Sequence, residues 1–299
     1  MVSSCLSLVS FYEGYLRRSF TASGLSPQTI HIDSETTIHF WGPSSPSSKP
    51  PLILIHGFGP KALWQWRHQV HSLSPHFNVY VPDLIFFGES TTKSSERSEI
   101  FQAVSIGKLF KMLGIERFSV MGTSYGGFVA YHMASMWPER VEKVVIASSA
   151  VNKRWRDNGE LLERAKLERV EDLMLPTTVG QLRTLISLAM FKRPYILPDF
   201  LLNDFLLSLY SENRKEKMEL LKGITLGQDD TLHISPLQQE VLIVWGEHDQ
   251  IFPLEKASEL KGVIGNNVRL EVMKNASHMP QVEDPKQFND IIKKFLCSS

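Results

Sequence analysis

The chain has 299 residues, 42% hydrophobic and 21% charged, a balance that fills a globular core and excludes a disordered or collagen-like chain. Lysine plus arginine equals aspartate plus glutamate at 32 each, so no net basic charge points to nucleic acid as a partner. The two cysteines, Cys5 and Cys297, lie near opposite ends with no CxxC, which excludes a disulfide framework and reads most simply as a reducing, cytoplasmic setting.

The N-terminus carries a short apolar run, Cys5 to Tyr12, followed by Glu13 and then Arg17-Arg18. A secretory signal places its positive charge before the apolar run, so the order here is reversed. Leu8, Phe11, Tyr12, Tyr15 and Leu16 recur at helical spacing. They predict an amphipathic helix in an extension over 1–27, packed on the body; the alternative use of such a helix is a weak contact with a membrane surface. No apolar run approaches the roughly 20 residues that span a bilayer.

Two β-patterned runs follow at 29–32 and 37–41, then a Pro- and Ser-rich loop over 43–51. Leu52-Ile53-Leu54-Ile55 is continuously apolar, the pattern of a strand buried on both faces. Similar runs recur at 79–81, 118–121, 144–147, 241–245 and 268–272. Helix-like segments lie between them, one marked by Ile106, Leu109, Phe110 and Leu113. This alternation predicts an α/β protein: a mostly parallel, doubly wound sheet of the eight-stranded type with helices on both faces. It breaks between residues 152 and 236, which hold helix formers punctuated by Pro176, Pro194 and Pro198. That stretch is expected to be a helical cap inserted between late strands, over a core of 28–151 and 237–299. Ligands bind at the strand C-terminal edge that such a cap would cover.

Gly122-Thr123-Ser124-Tyr125-Gly126-Gly127 follows one apolar run and precedes a helix-like run from Phe128 to Met136. This is the strand–G-x-S-x-G–helix context of a nucleophile elbow. A serine hydroxyl in water is a poor nucleophile and needs a positioned base. Small residues around Ser124 would let strand and helix close up and hold it clear of the backbone.

Taken together, an HG loop after a strand, G-x-S-x-G, an acid after a late strand and a histidine near the C-terminus resemble the α/β-hydrolase family, over roughly Gln28 to Leu296. The resemblance implies Ser124 as nucleophile, Asp249 in Gly246-Glu247-His248-Asp249 as the acid, and His278 as the base. On local grounds Glu247, Asp229 and Asp230 are rivals to Asp249. Of ten histidines, His31, His39, His68, His71, His76 and His233 read as surface or packing residues. Helical geometry carries His132 away from the elbow, and His248 only neighbours the proposed acid. The oxyanion hole would use the backbone N–H groups of Phe58 and Tyr125, with His56 shaping the loop. Asp83 is expected to be structural. Ile85-Phe86 stand where many members have a small residue or Pro-Gly, so this loop either narrows the pocket or packs under the cap. No HExxH, Cys/His cluster or phosphate-binding Gly-rich loop is present, and no metal or cofactor is expected.

Met174, Leu175, Leu185, Leu188, Met190, Phe191, Tyr195, Phe200 and Phe205 suit an apolar acyl group as the small-molecule partner. The chain is similar to plant members of the family labelled monoacylglycerol lipase-like or esterase. The resemblance thus implies a serine esterase. A second reading is a carbon–carbon bond hydrolase, since His56-Gly57-Phe58-Gly59-Pro60 resembles the HGxGP loop of meta-cleavage product hydrolases. Those relatives carry an aromatic where Met279 stands, and a cap arginine for which Arg154, Arg156, Arg183 and Arg193 are candidates. A third is a small-molecule receptor on a hydrolase scaffold.

Overall fold

A computed structural model describes residues 7–45, 47–192 and 197–298. Cys5, Arg193, Pro194 and Tyr195 lie outside the described residues. The chain opens with helix α1 (Leu8–Ala22), then β1 (Leu25–His31), β2 (Thr36–Pro43), β3 (Pro51–Ile55), α2 (Ala62–Gln65), α3 (Val70–Leu73), β4 (Asn78–Pro82) and a two-residue β5 (Thr91–Thr92). Next come α4 (Glu99–Met112), β6 (Phe118–Thr123), α5 (Tyr125–Met136) and β7 (Val141–Ala147). A run of helices follows: α6 (Trp155–Ala165), α7 (Val170–Met174), α8 (Val179–Ala189), α9 (Asp199–Phe205), a π-helical turn at Leu206–Tyr210, and α10 (Arg214–Lys222). The chain closes with β8 (Glu240–Gly246), α11 (Leu254–Ile264), β9 (Val268–Met273), α12 (Pro280–Glu283) and α13 (Pro285–Leu296).

The described strands form one nine-stranded sheet in the order β1-β2-β4-β3-β6-β7-β8-β9, with β5 paired to β2. From β4 to β9 every neighbouring pair is parallel, whereas β2 is antiparallel to β1, β4 and β5. The ninth strand is β5, too short to leave an alternating pattern. The fold expected from the apolar runs is otherwise present, and β1 starts at Leu25 rather than Thr29.

Alternation along the strands divides the core in two. Ile53, Ile55, Val120, Val144, Ile146, Ile243 and Trp245 face one side, where Ile106, Phe110, Val129 and Leu260 pack. Leu52, Leu54, Met121, Val145, Leu242 and Val244 face the other, against Leu16, Phe20, Trp66, Phe288 and Ile292. Successive strand residues point to opposite faces, so a strand sandwiched between two helical layers must be apolar throughout. All six residues of β6 are accordingly buried. The helices begin at local signals. Ser98 accepts from the Phe101 N–H to cap α4, and Asp284 accepts from the Gln287 N–H ahead of Pro285 to cap α13.

The α1 helix forms as the spacing predicts, capped by Ser7, but it presents a different face. Val9, Leu16 and Phe20 are buried, whereas Phe11 is 80% exposed and Leu8 and Tyr15 are also exposed. Of the apolar stripe chosen from the sequence, only Leu16 reaches the core. The register is set by anchoring outside the helix: Ser7 Oγ and the Val9 N–H donate to Asp204 on α9 at 2.7 and 3.0 Å. Among the described residues no helix is long and apolar enough to cross a membrane.

The strand order reverses between β3 and β6, which lie side by side with Ile55 opposite Gly122. Crevices at such a reversal, beyond the strand C-termini, are where open α/β sheets bind ligands. A Cβ on Gly122 would come within 2.0 Å of the Gly126 carbonyl oxygen, and one on Gly126 within 2.3 Å of the Ile55 oxygen. Both clashes are with backbone, which cannot rotate away. Gly122→Ala should therefore abolish soluble folded protein or cost more than about 3 kcal/mol in denaturant unfolding. Gly14→Ala, in open space on α1, should instead stabilise by about 0.5–1 kcal/mol. Equal stabilities for the two variants would contradict this packing.

Candidate active site

Ser124 sits at the β6–α5 junction with φ 51° and ψ −124°, a conformation L-residues rarely hold. The surroundings over-determine it. Its N–H donates to the Ala147 carbonyl at 2.9 Å, and its own carbonyl accepts from the Gly127 N–H at 2.8 Å and Ser149 Oγ at 2.6 Å. Gly127 is small because a Cβ there would stand 2.4 Å from the Ser149 side chain. The elbow thus turns the Ser124 hydroxyl away from the strand.

Two distant loops meet that hydroxyl. His278, in the loop after β9, places Nε2 2.9 Å from Ser124 Oγ. Its Nδ1 lies 2.9 and 3.1 Å from the two carboxylate oxygens of Asp249, in the loop after β8. One of those oxygens also accepts the N–H groups of Ile251 and Phe252, each at 2.9 Å. An ionised carboxylate only accepts, so it selects the Nδ1–H tautomer and leaves Nε2 free to accept the serine proton. Phe252 packs edge-on to the His278 ring, with centroids 5.5 Å apart. Ser124, Asp249 and His278, named from the sequence, are therefore brought together in one hydrogen-bonded row.

The rival acids go elsewhere. Glu247 and His248 lie on the surface 3.7 Å from each other, and His248 stacks on Phe191. Asp229 pairs with His233 on the surface, while Asp230 accepts the Arg156 N–H. His132 faces the buried Glu99 at 3.5 Å, on the far side of α5. Asp83 is buried: it meets His39 Nδ1 at 2.9 Å and accepts the Ala62 N–H at 3.1 Å, tying β2, α2 and the loop after β4 together.

The His56–Pro60 loop is clamped from two sides. His56 Nδ1 lies 2.8 Å from the Gly57 oxygen, while its Nε2 accepts the Leu84 N–H at 2.9 Å. That pattern requires a neutral ring, and burial pushes the His56 pKa down accordingly. Gln65 accepts the Gly57 N–H at 2.8 Å and donates to the Gly57 and Pro60 oxygens at 2.9 and 2.7 Å. The sequence reading missed this clamp. No acceptor among the described residues takes the amide of Phe58 or of Tyr125, the residue after Ser124; Phe58 lines the same cavity as Ser124 and packs edge-on to Tyr125, with ring centroids 5.8 Å apart.

Above the serine opens a cavity of about 270 Å³. Phe58, Trp64, Thr123, Ser124, His278 and Met279 line it from the sheet side. Met174, Leu182, Leu185, Ile186, Met190, Leu202, Phe205 and Tyr210 line it from the helices between β7 and β8. Of the apolar residues picked from the sequence, Met174, Leu185, Met190 and Phe205 reach the cavity. Leu175 and Leu188 are buried without lining it, and Phe191 and Phe200 are exposed. Ile85 and Phe86 also miss the cavity. They pack beneath the helices, with Arg97 over the Phe86 ring and Asn213 donating to the Phe86 oxygen. None of the described arginine candidates lines the cavity: Arg154 pairs with Glu259, Arg183 with Asp199, and Arg156 is exposed. Arg67, unmarked in the sequence, does line it.

Residues 50–285 match the family model described as alpha/beta hydrolase fold, and the chain belongs to that family. Monoacylglycerol lipase ABHD6 of Bos taurus is 25% identical, over 98% of this chain and 87% of that protein. The 2-hydroxymuconate semialdehyde hydrolase of Pseudomonas sp. strain CF600 is also 25% identical, over 83% of this chain and 87% of that protein. The crystal structure of a membrane phospholipase A, a bacterial virulence factor, shares the fold with a TM-score of 0.78 and 22% identity, covering 97% of this chain and 90% of that one.

Lys217 of α10 is buried over the Phe87 ring, 4.9 Å from its centroid, and Phe87 in turn packs edge-on against Phe58. Burial pushes its pKa from 10.5 down to about 8; Glu212 and Asp83 oppose that fall and Lys61 reinforces it. Between those values the folded chain holds fewer protons at this site than the unfolded chain, so stability rises as pH climbs from about 8 toward 10.5. Keeping the charge at neutral pH costs on the order of 3 kcal/mol. Lys217→Met should raise the denaturation midpoint at pH 7 and remove that rise with pH. A wild-type stability that is flat or falling across this window, and unchanged by the substitution, would show that the lysine is not held this way.

Proposed function

We propose that the protein is a serine hydrolase that cleaves a carboxylic ester of an apolar, acyl-chain substrate. The observation that carries this reading is the hydrogen-bonded row Ser124–His278–Asp249 at the floor of an apolar cavity. His278 takes the Ser124 proton as Oγ attacks the carbonyl carbon, and Asp249 stabilises the imidazolium that results. The amides of Phe58 and Tyr125 receive the oxyanion, a contribution typically worth on the order of 10²–10³ in turnover per donor. His278 then gives the proton to the departing alkoxide, which leaves as the alcohol. A water loses a proton to His278, its oxygen attacks the acyl carbon, and Ser124 recovers its proton as the acid is released. In this reading the helices between β7 and β8 act as the cap that sets acyl specificity, and their apolar lining supports a chain rather than a polar group.

The carbon–carbon reading draws support from the hydroxymuconate semialdehyde hydrolase relative. It is weakened because Arg154 and Arg183, candidates for its cap arginine, are paired with acids away from the cavity, and the arginine that does line it, Arg67, lies outside the helices between β7 and β8. The lipase relative, the apolar walls and Met279 at the cavity favour the ester.

A panel of 4-nitrophenyl esters tests this directly. Medium-chain esters should turn over faster than acetate, and Ser124→Ala should lower kcat by about 10⁴-fold or more, as removal of a triad nucleophile does. Unchanged ester cleavage in that variant would refute the mechanism. A folded wild-type protein that cleaves no ester, yet is stabilised by a small molecule, would favour the receptor.

A further inference from the structure

Most arginines of the described chain are spent on acids or carbonyls at the surface: Arg17 on Glu13, Arg97 on Glu219, Arg154 on Glu259 and Arg183 on Asp199. Arg67 is different. It lies between α2 and α3 and lines the cavity that holds Ser124. Its guanidinium donates to the Trp64 carbonyl, and beside it stands the Tyr12 phenol. Those are weak partners for a cation with five N–H donors. Burial pushes its pKa down, and the opposing interaction comes from the Tyr12 phenol rather than from a carboxylate. None of the ion pairs among the described residues includes it, and the residues outside the description (1–6, 46, 193–196 and 299) contain no aspartate or glutamate.

A second polar group in the same cavity is also unspent. Gln281, on α12 three residues after His278, is 2% exposed, lines the cavity, and has no partner for its side-chain oxygen. Its main chain is pinned, since Gln69 donates to its carbonyl at 2.8 Å. The amide can turn over to offer N–H groups instead. The same cavity has a largely apolar wall that includes Trp64, Leu202, Phe205 and Val282. Arg67 is partly buried, and a partly desolvated cation without a carboxylate is stabilised by an anion that enters the cavity. A guanidinium fork matches the oxygens of a carboxylate or phosphate, and apolar walls match a hydrocarbon chain.

We propose that Arg67, assisted by Gln281, forms an anion subsite in the cavity over Ser124, so that the substrate is an ester bearing both an apolar chain and an oxyanion, either carboxylate or phosphate. This deepens the serine-hydrolase reading and rests on it. The anion sits apart from the scissile carbonyl, and Arg67 takes no part in the bond changes. It fixes which end of an amphiphile reaches Ser124.

The test compares decanoate, decyl phosphate and decanol as competitive inhibitors of 4-nitrophenyl ester hydrolysis. In the wild type at least one anion should inhibit at a concentration about tenfold or more below that of decanol. The anion that does so tells carboxylate from phosphate. In Arg67→Gln the anion-to-alcohol preference should fall to near parity, and in Arg67→Lys part of it should remain. Decanol matching both anions in the wild type overturns the subsite whether or not any variant folds. So does an undiminished preference in Arg67→Gln. The two proposals separate cleanly: ester hydrolysis that persists in Ser124→Ala sinks the serine-hydrolase reading. Hydrolysis lost in that variant, with no anion preference in the wild type, sinks the subsite alone.

Discussion

Backbone meets backbone where β6 ends, α5 begins and β3 runs alongside, and three glycines make that contact possible. Gly122, Gly126 and Gly127 occupy positions where a Cβ would overlap a carbonyl group or the Ser149 side chain. The contact forces the chain to turn within one residue, and Ser124 takes the strained φ of 51° that the turn requires. Its cost is met by two buried layers of core on either side of the strands. The main chain of the serine is thereby held by contacts that involve neither of its partners.

Everything else at the site is brought to that fixed point from loops at the same edge of the sheet. Parallel strands deliver this by construction, because all of their C-terminal ends lie together. The β8 loop supplies Asp249, whose carboxylate is steadied by two backbone N–H groups. The β9 loop supplies His278, and the β3 loop supplies the amide of Phe58, held by His56 and Gln65. The polar groups that face one another are few and mostly satisfied. Gln281 stands out because its side-chain oxygen has no partner, and Arg67 because its partners are a carbonyl and a phenol rather than an acid.

The parts legible in the sequence were those determined locally or by chain order. A strand buried on both faces must be apolar at every position, so Leu52–Ile55 and the run into Gly122 announced the sheet. The elbow needs its glycines beside the serine, so it was visible as a string. Asp249 and His278 carried no such local mark; they were named through family order, and the fold brings them within hydrogen-bond reach of Ser124's row. What stayed hidden depends on partners far away in the chain. Nothing near Phe11 reveals that Asp204 anchors α1 with that ring outward. Gln65 clamps a loop eight residues back by a side-chain geometry no pattern encodes. Arg67 carries no mark in the sequence and joins the cavity only where the helices between β7 and β8 face it, and the loop at Ile85-Phe86 left two packings open that the contacts of Phe86 with Arg97 and Asn213 decide.

Exposing the protein to a fluorophosphonate and mapping the adduct by peptide mass spectrometry tests the nucleophilicity of Ser124 most directly. The reagent phosphonylates a serine only where a neighbouring base takes its proton and amides receive the developing charge. A single adduct on Ser124, sharply slowed by His278→Ala, is the predicted result. An adduct on another serine of the region, such as the buried and unpartnered Ser148, or no adduct on folded protein, would contradict it.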